Sequence, residues 1–274
     1  MDDTTLNQIV MVVYMVSAAA FLWTNLAPEP KRWRIPMGVA WLGFGLHTSS
    51  LIWRWIHSYQ IGIGHAPLTN RYESFVFFAW SIVAIFLVFD RFLGLRRFGA
   101  AILAGGAGLI GVTSLIPGME TAVTPLMPAL QSNWLFFHVV TCFLAYAAFA
   151  VAFFTGIMSL TRARGGNLTR ESSLQLDDVM YRMIMVGFLL LTLGIISGSA
   201  WAYRAWGRYW GFDPKETWSL ITWIVYAVFL HARITKGWAG KRLALIAIIG
   251  FLSVIVTYWG VNHLDIFKGL HSYG

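Results

Sequence analysis

Eight runs of apolar residues, each long enough to cross a bilayer, occupy most of the chain and leave little between them for a folded domain outside the membrane. They extend approximately from Leu6 to Leu26, Pro36 to Ile56, Ser74 to Leu93, Phe98 to Ile116, Trp134 to Leu160, Val179 to Trp201, Thr217 to Arg233 and Leu243 to Val261. Charged residues make up only 12% of the 274 positions, about half the roughly 25% of a soluble domain, so a soluble fold is excluded. Lipid offers no partner to unpaired backbone groups, and the period-two alternation of a barrel is absent. The expectation is an all-α, polytopic integral membrane protein, one membrane domain over residues 1–274. The start of the chain has no basic segment before its apolar run and no cleavage-site pattern, so the first span is expected to be retained.

The connecting segments carry an orientation signal. Those after the odd-numbered runs hold fourteen of the twenty Lys and Arg, counting Arg182 just inside the sixth run. By the positive-inside rule these segments are expected to face the cytoplasm, and both termini the outer (periplasmic) side. The net charge of +8 is then mostly a record of topology, and a nucleic-acid partner is not expected. The stretch Thr161 to Asp178 mixes both signs and reads as a solvated connector, while Gly105 to Gly108 reads as close helix packing. A single cysteine, Cys142, leaves no internal disulfide and no CxxC, so metal chemistry falls to histidine.

The segment Trp201 to Trp218, WAYRAWGRYWGFDPKETW, places seven aromatics in one outer loop and its margins. An interfacial belt accounts for one or two tryptophans at a span end; the density here also suits a platform for a flat apolar ligand. Trp206, Trp210, Phe212 and Trp218 would supply faces and edges, and Arg204, Arg208 and Lys215 would hold carboxylates as charge-assisted pairs. Asp213 stands where it can cap the next helix or orient Lys215.

Residues Trp206 to Asp213 resemble the WGxxWxWD signature of the haem-handling WWD proteins, and Pro214 to Trp223 resembles the CcsA/ResC branch that serves System II cytochrome c biogenesis. Phe212 replaces the second Trp of the signature, keeping an aromatic face and losing the indole N–H. Gly64 to Ser74 and Gly269 to Gly274 extend the resemblance from about the second span to the last residue.

Seven histidines are candidates for iron. His138 opens the fifth span from the outside, four residues after Trp134, and His271 lies in the outer tail, so both can approach the aromatic loop. Two neutral imidazoles on opposite sides would give axial ligation. The resemblance implies the same pair, with His263 as competitor to His271. His231, at the inner end of the seventh span beside Tyr226 and Arg233, is either a functional ionisable group or a neutral ring bonded to a backbone carbonyl in the bundle. The resemblance implies an inner haem site there, completed by a partner subunit. His47 is an alternative inner partner or a packed polar residue, and His57 and His65 read as loop residues.

The resemblance further implies haem b as substrate and bound ligand, apocytochrome c and a CcsB/ResB-type membrane subunit as partners, and attachment of haem to CxxCH thiols by a cytochrome c synthase. A haem exporter or chaperone without synthase activity is the first alternative. A haem-b or quinone electron-transfer subunit is the second, but it would hold iron between histidines facing each other within the bilayer.

Overall fold

A computed structural model describes residues 2–26, 32–166 and 169–261. Among these the chain forms eight helices long and apolar enough to cross a membrane and no strand, a multi-pass membrane protein. They are formed by α1 (Asp3–Leu26), α2 (Arg34–Gln60), α3 (Arg71–Leu93), α4 (Gly99–Leu115, lengthened by a 3-10 turn, Leu95–Phe98), α5 (Asn133–Arg164), α6 (Arg170–Trp206), α7 (Pro214–Lys236) and α8 (Lys241–Ile255) with the turn that follows it. One π-helical turn, Val256–Gly260, continues α8. Two compact units meet in sequence between Gln131 and Ser132, and each closes four helices into a ring of sequential neighbours.

In the first unit α1 and α2 run antiparallel, with Asn7, Val10, Tyr14, Ser17 and Phe21 buried at helical spacing on α1. Tyr14 lies against Gly43, where an added Cβ would stand 2.8 Å from its ring. Two polar contacts cross this interface. The Ser17 hydroxyl donates to the Pro36 carbonyl at 2.9 Å, and the Tyr14 hydroxyl meets His47 Nδ1 at 3.1 Å. His47 is thus a packed polar residue of the unit interior. Of the glycine run in α4, Gly106 and Ala107 are buried, Gly106 close to Val83, whereas Gly108 faces open space.

At one end of this unit Arg54 is held by two carboxylates, Nε to Glu73 Oε1 and Nη1 to Asp3 Oδ2, both at 2.9 Å. Glu73 also accepts from Thr69 N, Thr69 Oγ1 and Asn70 N, closing the capping box that starts α3. The stretch Gly64 to Ser74 is therefore a helix start built around a buried ion cluster. His65, buried in the same connection, reaches the carbonyl oxygens of Ala66 and Thr124 at 2.9 and 3.0 Å, and His57 is exposed in the last turn of α2.

In the second unit α5 buries a continuous face from Cys142 to Ala152, with Phe149 stacked on Tyr226 of α7 at 3.6 Å. α6 has 37 residues, about 56 Å at 1.5 Å each, against a hydrocarbon core of about 30 Å. Its excess corrects two expectations. The stretch Thr161 to Asp178 is mostly helical, because α5 runs to Arg164 and α6 begins at Arg170 with its Thr169 cap. Nor is it wholly solvated: Leu176 and Asp177 are buried, and the Asp177 carboxylate accepts from Gly240 N at 2.9 and 3.1 Å, tying α6 to the turn before α8. Mixed charge in this stretch marks a helix that outruns the membrane.

Candidate functional site

The aromatic segment is half helix and half connection. Trp201 to Trp206 form the last turns of α6, Gly207 ends it in the left-handed conformation with φ 74°, and α7 begins at Pro214. Gly suits that position because a side chain there would meet the following carbonyl. Only the residues between them are loop.

Two hydrogen-bonded features set the course of this loop. The Ser199 hydroxyl donates to the Tyr209 carbonyl at 2.8 Å, folding the strip back on α6, where Tyr203 and Tyr209 stack at 4.4 Å with ring planes 9° apart. The second is a carboxylate bracket. Glu216 Oε2 accepts from Gly211 N at 2.7 Å and from Asp213 N at 3.1 Å, on either side of Phe212. Phe212 sits at φ 53°, a left-handed conformation costing about 1–2 kcal/mol outside glycine. Its ring is 75% exposed and edge-on to Trp210 at 6.1 Å. A strained backbone holding a large apolar ring in the open makes Phe212 a candidate functional residue.

Asp213 caps α7, its Oδ1 accepting from Lys215 N at 2.9 Å, and Asp213 with Glu216 makes a capping box. The capping role expected from the sequence is present. Arg208 lies over Gly211, whose bare Cα admits the guanidinium: an added Cβ would stand 2.7 Å from its Cζ. Trp218 is half-buried on the first turns of α7.

His138 lies beside this segment, half-buried on the second turn of α5. Its Nδ1 donates to the Gly194 carbonyl of α6 at 2.7 Å. Trp201 lies parallel to the imidazole at 6.2 Å and 11°, and Trp206 meets Trp201 edge-to-face at 4.8 Å. A neutral ring donating through Nδ1 carries its lone pair on Nε2, the state in which imidazole ligates iron. The residues present therefore fit the axial role, with an aromatic wall next to the donor.

The other histidines fall elsewhere. His231 is about 27 Å along α7 from Asp213 at 1.5 Å per residue. It is exposed on the outside of its unit, with Nδ1 3.4 Å from Thr235 Oγ1, whereas Tyr226 is buried against Phe149. The expected place beside Tyr226 is corrected: five residues turn a helix through about 500°, which puts the two side chains on different faces. His271 and His263 lie outside the described residues.

Sequence reasoning passed over Glu216, although Asp213-x-x-Glu216 is a capping-box spacing legible without a structure. Replacing Glu216 with Ala removes the carboxylate oxygen that bridges Gly211 N and Asp213 N across Phe212 and is expected to loosen the loop by about 2 kcal/mol. Amide exchange at 211–213, followed by mass spectrometry, should then quicken roughly thirtyfold. Unchanged exchange would show that the bracket does not hold the loop.

Residues 68–271 match the family described as cytochrome C assembly protein. The chain is similar to the cytochrome c biogenesis protein CcsA of Synechococcus sp. (strain CC9902), 38% identical over 302 aligned positions that cover 99% of this chain and 96% of that protein. Against the cytochrome c biogenesis protein CcsA of Chlamydomonas reinhardtii identity is 41%, over 88% of this chain and 68% of the relative. Among solved structures, cytochrome c heme lyase CcmF superposes with a TM-score of 0.68 at 16% identity, over 92% of this chain and 46% of that one, so this chain spans about half its length. At that identity the likeness is one of fold.

Proposed function

Since the chain belongs to the cytochrome c assembly family, as a CcsA-type protein acting in cytochrome c maturation and haem handling, we propose that it presents haem b for covalent attachment to apocytochrome c. Haem is the substrate. It is received at the basic end near His231, with a CcsB/ResB-type subunit supplying the opposite ligand, and is displayed at the aromatic end between His138 and His271. The observation that carries this reading is the seating of His138, Nδ1 engaged by Gly194 and Trp201 alongside, next to the aromatic segment.

The reaction adds a cysteine S–H across a haem vinyl group: a C–S bond forms, the proton passes to the neighbouring vinyl carbon, and no electrons are exchanged overall. This chain need supply little covalent chemistry. Its residues fix position and exclude wrong orientations, which converts an encounter into a near-unimolecular step. Trp206, Trp210, Phe212 and Trp218 offer stacking surface, and Arg208 and Lys215 offer cations for the propionates. The chain brings no thioredoxin-like CxxC of its own, so reduced apocytochrome thiols are supplied by another protein.

Coexpression of the chain with its partner subunit and an apocytochrome is the direct test. Covalently attached haem is expected; haem bound to the chain but never attached would favour an exporter. The scheme also fixes an orientation, with the aromatic end in the periplasm. Tyr209→Cys should react with an impermeant thiol reagent in intact cells, and Arg164→Cys only after the membrane is opened. The opposite pattern would remove the mechanism together with the orientation.

A further inference from the structure

We infer that Gly194, Gly198 and Trp201 of α6 are positioning residues that fix the tautomer and the rotation of the His138 imidazole; the inference rests on His138 being an axial ligand for haem. The three recur four and three residues apart, which places them on one face of the helix, opposite α5. They act on the ring from three directions. The Gly194 carbonyl accepts a hydrogen bond from Nδ1 at 2.7 Å, and Trp201 lies parallel to the ring at 6.2 Å. Gly198 supplies empty space: a Cβ there would stand 2.5 Å from Nδ1 and 2.7 Å from Cε1. Gly194 works in the same way one turn earlier, where a Cβ would stand 2.6 Å from Cys142 Sγ.

The two glycines therefore let α5 and α6 approach closely enough for a helix carbonyl to receive the ring proton. That bond keeps the ring proton on Nδ1 and so leaves the lone pair on Nε2. Glycine is less favourable than alanine in mid-helix, so Gly198→Ala would favour the helix itself while displacing the ring. A spectroscopic change from that variant reports on the ligand and not on helix formation.

The test uses the full chain with its partner. Gly198→Ala is expected to lose the low-spin bis-histidine absorption and most cytochrome yield. The double variant His138→Gly/Gly198→Ala with added imidazole is expected to match His138→Gly with imidazole, because a free ligand shifts to avoid the new methyl group. Normal spectra and yield in Gly198→Ala would overturn the inference, and so would a double variant that imidazole fails to restore while His138→Gly responds, since the damage would then lie outside the ring. A second readout needs no haem. In protein labelled with 15N-histidine, the signal assigned by its loss in His138→Gly should show Nδ1 protonated and Nε2 bare. The reverse tautomer overturns the inference whatever the yield. Full maturation in His138→Gly without imidazole, with the expected tautomer present, would instead strike at the proposed function.

Discussion

Replacing His138 with glycine is expected to abolish cytochrome c maturation, and millimolar imidazole to restore part of it. On the proposed function the loss is of one Fe–N bond at a half-buried site beside the loop, where a small free ligand can enter and re-form the bond. His271→Gly, in the tail outside the described residues, should behave in the same way, with His263→Gly as the control that separates the two candidates. His231→Gly should differ. Its ring is exposed about 27 Å along α7 from the aromatic end, so its loss should lower the amount of haem that arrives while leaving the spectrum of arriving haem bis-histidine. Purified variants, each with its partner, are compared by haem content and absorption with and without imidazole. Retention of full activity by the His138, His263 and His271 variants would end the presentation mechanism.

The second large effect concerns stability. Arg54→Met leaves Glu73 and Asp3 without their cation in a cluster where the side chains of Arg54, Glu73 and Asp3 are only 5%, 1% and 15% exposed. Breaking a buried pair from one side strands the remaining charge, and the expected loss is about 3–5 kcal/mol. Thermal unfolding in detergent should record it as a clear fall in Tm. Removing Glu73 as well should recover part of the loss, because replacing both partners by apolar groups is far less harmful than stranding one. A fall worth under about 1 kcal/mol would mean that water reaches the cluster.

Arg54 also shows where sequence reasoning stops. It is one of the six basic residues outside the segments that follow the odd-numbered runs, but its role depends on partners 19 and 51 positions away that no local pattern joins to it. The eight spans were legible because hydrocarbon imposes a length and a composition on any segment that crosses it. Helix ends were less so: beyond the hydrocarbon that constraint lapses, and Arg170 to Asp178 has the polar surface of a loop while remaining helical. In the candidate site, aromatic density drew attention to Trp206, Trp210 and Phe212. The residues that set the course of the loop are a glutamate and a serine, Glu216 and Ser199, whose types are common everywhere. Gly194 and Gly198 are likewise indistinguishable in sequence from glycines that merely bring helices together.

The unbroken length of α6 has a consequence for how such a chain can change. Asp177 is fastened to Gly240 near one end, and Gly194 to His138 toward the other. Both fastenings belong to a single rod, which fixes their phase as well as their separation. One residue inserted between them would rotate everything beyond it by about 100° and shift it by about 1.5 Å, so that if Asp177 still met Gly240, Gly194 would face away from the imidazole. Seven inserted residues would leave an angular error of only about 20°, but would lengthen the rod by about 10 Å, which the shorter neighbouring helices would then have to match. Single-residue insertions and deletions should therefore accumulate in the connections and avoid this stretch of α6, a spacing rule that applies whatever the residues in it are.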